Sequence, residues 1–151
     1  MKGSLRLASL DEIIRQTLTP HVSDDETVDV RGPAIHVGAG SVPLVHMAFH
    51  ELATNSAKYG ALSAPGGRVG VRWEIESDAS SGEALLRLTW RESGGPVVRP
   101  PPRRGFGSLL VEHALAAEFG GEIAVAFPPE GVTCTMRLPL SGPLTIGDKA
   151  A

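Results

Sequence analysis

The chain has 151 residues, which is enough for one domain to close a hydrophobic core without disulfides or metals. Its formal net charge of −3 argues against nucleic acid as a partner, because no excess of basic residues would offset the phosphate charge. The single cysteine, Cys134, allows no internal disulfide and no cysteine metal cluster, which suits the reducing cytoplasm. No apolar run approaches the ~20 residues that span a bilayer, so we expect no membrane insertion.

Two patterns organise the N-terminal part of the chain. Residues 9–19 place Ser9 as a helix N-cap, with Glu12 three residues on and apolar residues at helical spacing behind it. This predicts a first amphipathic helix. Residues 27–38, TVDVRGPAIHVG, alternate apolar and polar residues on either side of a Gly-Pro pair, which predicts two short strands joined by a turn.

The middle of the chain predicts a helix and a hairpin. Residues 41–59 carry an apolar stripe at helical spacing, and Gly60 is the predicted stop. Residues 68–75 and 84–92 each alternate apolar and polar side chains, with a polar turn between them. We expect these two segments to pair as antiparallel strands.

The last part of the chain begins with a loop, because residues 93–108 are too rich in Gly and Pro for regular structure. LLVEHALAAEF, residues 109–119, predicts another helix. Residues 121–127 and 131–140 alternate cleanly around a PPEG turn and predict a second hairpin.

The order of elements predicts an α+β fold. Paired strands on each side of single helices favour a two-layer α/β sandwich, in which a mixed, mostly antiparallel sheet is covered on one face by about three helices. We expect one domain over residues 9–140. Residues 1–8 are interpreted as an N-terminal extension, and residues 141–151 as a loose C-terminal tail.

Polar residues line one face of the predicted helix over residues 41–59. Side chains at i, i+4 and i+7 share a helix face, so Glu51, Asn55 and Lys58 lie along one edge. A carboxylate, an amide and an ammonium there can hold a hydrated Mg²⁺ and meet phosphate oxygens. A solvated helix face with a Glu-to-Lys pair is the alternative, and spacing leaves both open. For His50, spacing alone favours a hydrogen-bonded structural histidine.

Two glycine clusters flank the loop over residues 93–108. Gly94 and Gly95 follow the strand that ends in Glu92, and GFGS, residues 105–108, opens the next helix. Glycines at a helix start let backbone amides approach an anion such as phosphate. Ordinary glycine turns, with Ser108 as a helix cap, are the alternative.

Charged side chains in and before this loop also have two interpretations. Glu92 can accept the exocyclic amine of an adenine base or point to solvent. Arg99, Arg103 and Arg104 surround a triple proline and can clamp phosphates. A solvated basic loop is the alternative for the arginines.

Together these segments resemble the ATP-binding catalytic domain of the HWE family of sensor histidine kinases, which shares the Bergerat nucleotide fold with gyrase and MutL. HELATNSAKYGALS, residues 50–63, resembles the family's N box, and WRESGGP, residues 90–96, its first glycine box with the WxE motif. GFGSLL, residues 105–110, resembles the second glycine box, and residues 131–140 the closing strand. The likeness covers about residues 9–140, and three ordered motifs are far more specific than one.

The resemblance implies a role for each matched position. Asn55 would be the Mg²⁺ ligand, Glu51 would orient the nucleophilic histidine or accept its proton, and Glu92 would read the adenine amine. His50 is a family signature residue that we place beside Glu51 as a catalytic candidate with an open role. The other ATP contacts that the resemblance implies are Lys58, Tyr59, Gly94, Gly95, Arg104, Gly105, Phe106, Gly107, Ser108 and Thr133.

The chain departs from the family pattern in the loop and in the closing hairpin. The lid between the glycine boxes is short and has no phenylalanine-containing box, so lid closure would rely on the Pro and Arg segment. Many relatives have Gly-Thr where this chain has Gly131 and Val132, which removes a hydroxyl near the base and leaves Thr133 as its nearest substitute.

The resemblance also implies partners. A whole kinase of this family carries an upstream helical dimerisation region with the phosphoacceptor histidine, and we find no such helix pair before residue 9. We therefore expect binding of ATP and Mg²⁺, transfer to a histidine on a separate helical domain, and a response regulator downstream. The alternatives are an anti-sigma-type protein serine kinase on the same fold and a nucleotide-regulated interaction module without kinase activity.

Overall fold

The computed structural model of the chain describes residues 8–22, 27–99 and 106–147, with the backbone alone described for residues 106–110. Its α-helices are α1 (Leu10–Leu18), α2 (Val42–Tyr59) and α3 (Phe106–Phe119). Its strands are β1 (Ala8–Ser9), β2 (Val28–Arg31), β3 (Ile35–Val37), β4 (Arg68–Ser77), β5 (Ala84–Ser93), β6 (Glu122–Ala126), β7 (Thr133–Pro139) and β8 (Leu144–Ile146).

Local hydrogen bonds mark the start of the first helix and the end of the second. The hydroxyl of Ser9 accepts the backbone N–H of Glu12 at 3.4 Å at the start of α1. The backbone N–H of Gly60 donates to the carbonyl of Ser56 at the end of α2. These contacts agree with the helices predicted from the sequence. No helix in the described part of the chain is long and apolar enough to cross a lipid bilayer.

The main sheet has five strands in the order β2-β4-β5-β7-β6. β2 runs parallel to β4, and the other three pairings are antiparallel. In the helical layer, α2 lies between α1 and α3. Both predicted hairpins form, and the predicted α+β fold is confirmed. Buried side chains from one face of β4 and β5 contribute to the core: Val69, Val71, Trp73, Leu86, Leu88 and Trp90.

The two strands predicted around Gly32 and Pro33 form, but they do not pair with each other. β2 joins the main sheet, whereas β3 lies between β1 and β8 in a second, antiparallel sheet. Where the chain passes from β2 to β3, the indole N–H of Trp73 donates to the carbonyl of Pro33 at 2.7 Å. A Cβ on Gly32 would collide with that indole ring. The Gly-Pro pair therefore carries the chain over Trp73 from one sheet to the other.

The segment expected to be a loose tail contributes a strand. β8 pairs with β3, and Leu144 is 1% exposed in the core. At the other end, Ala8 pairs with Val37 of β3, although it was assigned to the extension. The described fold therefore extends beyond residue 140, because β3 has an antiparallel partner on each side. Pairings between distant segments of this kind leave no short-range pattern in the sequence.

Candidate functional site

A cavity of about 650 Å³ opens between α2, α3 and the adjoining strands of the main sheet. This volume lies in the range of small-molecule sites. The polar or charged residues on its wall are Glu51, Asn55, Tyr59, Glu92, Arg99 and Glu112. The wall therefore combines groups from α2, the end of β5, the loop after it and α3.

The floor of the cavity is apolar and comes mainly from the second hairpin. Alternate side chains point to one face of a strand, so Ile123 and Val125 of β6 lie beside Cys134 and Met136 of β7. Val132 extends the same surface. A flat apolar ring would bury its faces well against such a floor.

Glu51 and Asn55 form the polar edge on α2. They are four positions apart, lie on the same wall of the cavity and are both half-buried. Tyr59, one turn further on, lines the rim with 74% of its surface exposed. The two oxygen-bearing side chains are thus sheltered, whereas the tyrosine faces solvent.

Glu92 lines the cavity and is buried, with 5% of its surface exposed. The part of the cavity around this buried carboxylate is called the closed end. Its Oε1 accepts the backbone N–H of Ala61 at 3.0 Å. Its Oε2 accepts the indole N–H of Trp90 at 2.9 Å. Of the two interpretations that the sequence left open, a carboxylate pointing into solvent is therefore wrong.

The chain is similar in sequence to known proteins. A blue-light-activated histidine kinase of Brucella ovis is 35% identical over 135 residues, covering 89% of this chain and 27% of that protein. Blue-light-activated histidine kinase 1 of Erythrobacter litoralis is 34% identical over 139 residues, covering 89% of this chain and 37% of that protein. The chain belongs to the histidine kinase family. The histidine kinase domain predicted from the motifs is thereby confirmed, and the HWE family is consistent with these relatives.

Solved histidine kinase structures share the fold of this domain. The histidine kinase domain of Erythrobacter litoralis EL346 superposes with a TM-score of 0.63 at 20% identity, covering 87% of this chain and 59% of that one. The catalytic domain of histidine kinase ThkA gives 0.58 at 16% identity, covering 89% and 96%. No protein-family model matches the chain. The chain spans 27% and 37% of the lengths of the two curated relatives. The activity and partners of a whole kinase are therefore proposals for this chain.

Some side chains of the N box of this histidine kinase domain line the cavity, and others face solvent. Glu51, Asn55 and Tyr59 line the cavity, whereas Lys58 is exposed and does not. His50 is also exposed; its ring stacks on that of His46 with centroids 6.2 Å apart. The predicted row from Glu51 to Lys58 therefore reaches the cavity with its first two members only.

The first glycine box lies beside Glu92 but packs against protein. A Cβ on Gly95 would lie 2.6 Å from the Cα of Ala61, and one on Gly94 would lie 2.6 Å from the carbonyl oxygen of Gly66. These glycines allow the end of β5 to approach the turn that follows α2. Their described neighbours give a structural reason for glycine that is separate from nucleotide contact.

The remaining predicted contacts lie off the cavity or outside the described residues. Thr133 does not line the cavity, because its neighbours Val132 and Cys134 do and alternate side chains of a strand point to opposite faces. Arg104 and Gly105 fall outside the described residues. The helix α3 begins at Phe106 and continues through Gly107 and Ser108. Ser108 is therefore inside the helix and is not its N-cap. For these residues the structure describes the backbone alone.

Several residues that line the cavity were not predicted as site residues from the sequence. The alternation that predicted the second hairpin also places Ile123, Val125, Cys134 and Met136 on one face, so the apolar floor could have been predicted. Glu112 of α3 carried no comparable signal. It becomes a site residue only because α3 packs beside α2.

The donor set on α2 fits Mg²⁺ that arrives with a nucleotide. Within residues 8–22, 27–99 and 106–147, no group of three or more His, Cys, Asp or Glu side chains forms a metal cage. Mg²⁺ in phosphate sites takes one or two protein oxygens and completes its shell with phosphates and water. The amide oxygen of Asn55, with the Glu51 carboxylate one turn away, can supply that share.

Proposed function

We propose that this domain binds Mg·ATP and transfers the γ-phosphoryl group to a histidine on a helical phosphoacceptor domain in the cytoplasm, with a response regulator as the next recipient. One observation carries the proposal. A single cavity joins Glu51 and Asn55 of the N box to Glu92 of the first glycine box, although these motifs lie about 40 residues apart. The names of the similar kinases support the same activity.

The closed end of the cavity suits the adenine base. Val132, Cys134 and Met136 offer an apolar surface for the ring, and Glu92 offers an acceptor for its exocyclic amine. A carboxylate that accepts an N–H makes a charge-assisted hydrogen bond, roughly twice as strong as a neutral one. This end of the cavity would therefore select for an amino-purine.

The α2 edge suits the phosphates. Bound Mg²⁺ would neutralise charge on the phosphoryl oxygens, and Asn55 would hold it there. Glu51, on the same wall, would orient the acceptor imidazole or take up its proton. Catalysis would then consist mainly of positioning and charge neutralisation. His50 and Lys58 lie outside the cavity, and the proposal assigns them no step.

Replacing the magnesium ligand is the first test. Asn55→Ala removes the amide oxygen, so we expect ATP affinity in Mg²⁺ to fall at least about tenfold, ~1.4 kcal/mol. Isothermal titration with and without Mg²⁺ measures this loss. Gln16→Ala is the matched control, because Gln16 is the chain's other side-chain amide and is exposed on α1. Equal Mg²⁺-dependent binding by the two variants would remove Asn55 from the site.

Transfer is tested by supplying the acceptor. The chain, Mg·ATP and a separate acceptor-histidine helical domain are incubated together, and the phosphoprotein is treated with acid. We expect acid-labile phosphate on the acceptor domain, since phosphohistidine hydrolyses in acid. Acid-stable phosphoserine would indicate the serine kinase alternative. ATP binding without any transfer would indicate the interaction module.

A further inference from the structure

The carboxylate of Glu92 is held from two sides by the protein itself. Trp90 and Glu92 are two residues apart on β5, so both side chains point to the helical face of the sheet. The indole N–H of Trp90 donates to Oε2 at 2.9 Å, and the backbone N–H of Ala61 donates to Oε1 at 3.0 Å. One donor is local and the other lies 31 positions away.

Two fixed donors determine how the carboxylate faces the cavity. Each carboxylate oxygen can accept two hydrogen bonds, so each retains one acceptor site after the protein has used the other. The plane of the group cannot turn without losing one of its two buried bonds. Glu92 therefore holds its remaining acceptor sites in a fixed orientation before any ligand arrives, and loses little side-chain entropy on binding.

Trp90 is itself immobilised. Its side chain is 0% exposed, and its ring packs against Phe49 of α2 with centroids 6.3 Å apart and planes tilted by 36°. Phe49 lies on the same helix as Asn55. The ring that orients Glu92 thus rests on the helix that carries the phosphate end of the site.

We infer that Trp90 is a positioning residue for base recognition: its indole N–H orients Glu92 to accept the exocyclic amine of an amino-purine nucleotide. This inference rests on the proposed function, because it assumes that a nucleotide base enters the closed end of the cavity. It assigns the tryptophan a task that its burial alone does not require. A purely packing role would be filled equally well by an aromatic ring without an N–H.

Base discrimination is the readout that separates positioning from packing. Dissociation constants are measured in Mg²⁺ for ATP and for purine riboside triphosphate, which lacks the exocyclic amine. We expect the wild-type chain to prefer ATP about tenfold, as one charge-assisted hydrogen bond predicts. Trp90→Phe keeps a buried ring and removes the donor, so we expect the preference to fall to about threefold or less.

Trp73→Phe is the matched control. Trp73 is the chain's other tryptophan; it is buried on the neighbouring strand, and its indole N–H donates to Pro33, away from Glu92. This variant should keep the wild-type preference. An unchanged preference in Trp90→Phe would overturn the inference while leaving the nucleotide site in place. A wild-type chain that binds both nucleotides equally would overturn base reading by Glu92 and the inference with it. A wild-type chain that binds neither would overturn the proposed function.

A second measurement needs no Trp90 variant. The chain has two tryptophans, so a ¹H–¹⁵N spectrum shows two indole N–H signals, and Trp73→Phe assigns them. At saturation, ATP should shift the Trp90 signal more than the amine-free analogue does, because only ATP adds a donor to the carboxylate. Equal shifts from both ligands would overturn the inference even if Trp90→Phe failed to fold.

Discussion

The two ends of the β4–β5 hairpin each hold a carboxylate, but by different means. At the turn, Asp78 is bonded by its near neighbours: its Oδ1 accepts the N–H and hydroxyl of Ser80 and the N–H of Ser81. At the cavity, Glu92 is buried, and one of its donors, Ala61, comes from another part of the chain. The turn is built from six consecutive residues, 78–83, whereas the cavity end exists only when the fold is assembled.

Two glycines show the same difference. Gly82 at the turn and Gly94 at the cavity have almost equal φ values, +76° and +74°. A Cβ on Gly82 would meet nothing within 4 Å, whereas one on Gly94 would lie 2.6 Å from the carbonyl oxygen of Gly66. Both positions need glycine for its backbone conformation, and only the cavity end also needs it for space.

Alanine at these glycines should give the largest contrast. Gly82→Ala adds only the left-handed cost of about 1–2 kcal/mol, whereas Gly94→Ala adds roughly 1–3 kcal/mol of crowding to it. Gly70→Ala is the control, since Gly70 has open space around it and is absent from the positive-φ glycines; this variant should lose no stability. Urea unfolding of the three variants measures the differences. Equal losses at Gly94 and Gly82 would show that crowding at the cavity end is relieved without cost.

Amide substitutions should give a smaller contrast. Glu92→Gln replaces one carboxylate oxygen with an NH2 group, which must then face the N–H of Ala61 or of Trp90. We therefore expect the free energy of unfolding to fall by about 1–3 kcal/mol. Asp78→Asn keeps one oxygen for all three of its donors and loses only the charge, so its unfolding midpoint should fall less than that of Glu92→Gln. Thermal unfolding at neutral pH compares the two. A wild-type midpoint for Glu92→Gln would contradict the two-donor geometry.

The smallest expected effect is the part of the acid-induced loss of stability that Asp78 contributes at the turn end. Hydrogen bonds from the Ser80 hydroxyl and from the backbone N–H groups of Ser81 and Ser80 lower the pKa of Asp78 from 3.8 to about 2. A lowered folded-state pKa stabilises the fold above pH ~4 and ceases to do so as pH falls towards 2. Asp78→Asn should therefore flatten part of the acid dependence of unfolding. Asp29, whose pKa is lowered chiefly by its hydrogen bond from Arg31, leaves a residual slope in the variant.

That experiment compares urea midpoints between pH 4 and pH 2 in wild type and Asp78→Asn. Identical slopes for the two proteins would show that the turn carboxylate does not contribute to acid sensitivity. ATP binding at neutral pH is the control and should be the same for both, because Asp78 lies at the far end of the hairpin from Glu92.

Elements with strong local periodicity were predictable, and distant pairings were not. Ser9, the stripe of α2 and the alternation of β4 to β7 predicted the helices and both hairpins. The second sheet escaped prediction because β3 pairs across more than 100 residues with β8, for which a three-residue strand leaves little pattern. Likewise, the Gly-Pro pair at residues 32–33 turns the chain between sheets, which depends on Trp73 of a later strand.

The site shows the same limit at finer scale. Helical spacing and the motifs predicted Glu51 and Asn55, which reach the cavity. The same spacing also predicted Lys58, which is exposed and does not line the cavity. For Glu92, the motif indicated a binding role but not the two protein donors. Those donors depend on Trp90 lying under α2 and on Ala61 returning to the sheet.

The second sheet determines how this domain would transmit tension. β1 and β8 flank the same strand, so they lie about 10 Å apart at the ordinary spacing of strands. A pull between residues 8 and 147 would load the hydrogen bonds of β3 and not the strands that form the cavity floor. The two ends of the described domain are thus held side by side through β3, a strand that does not line the cavity.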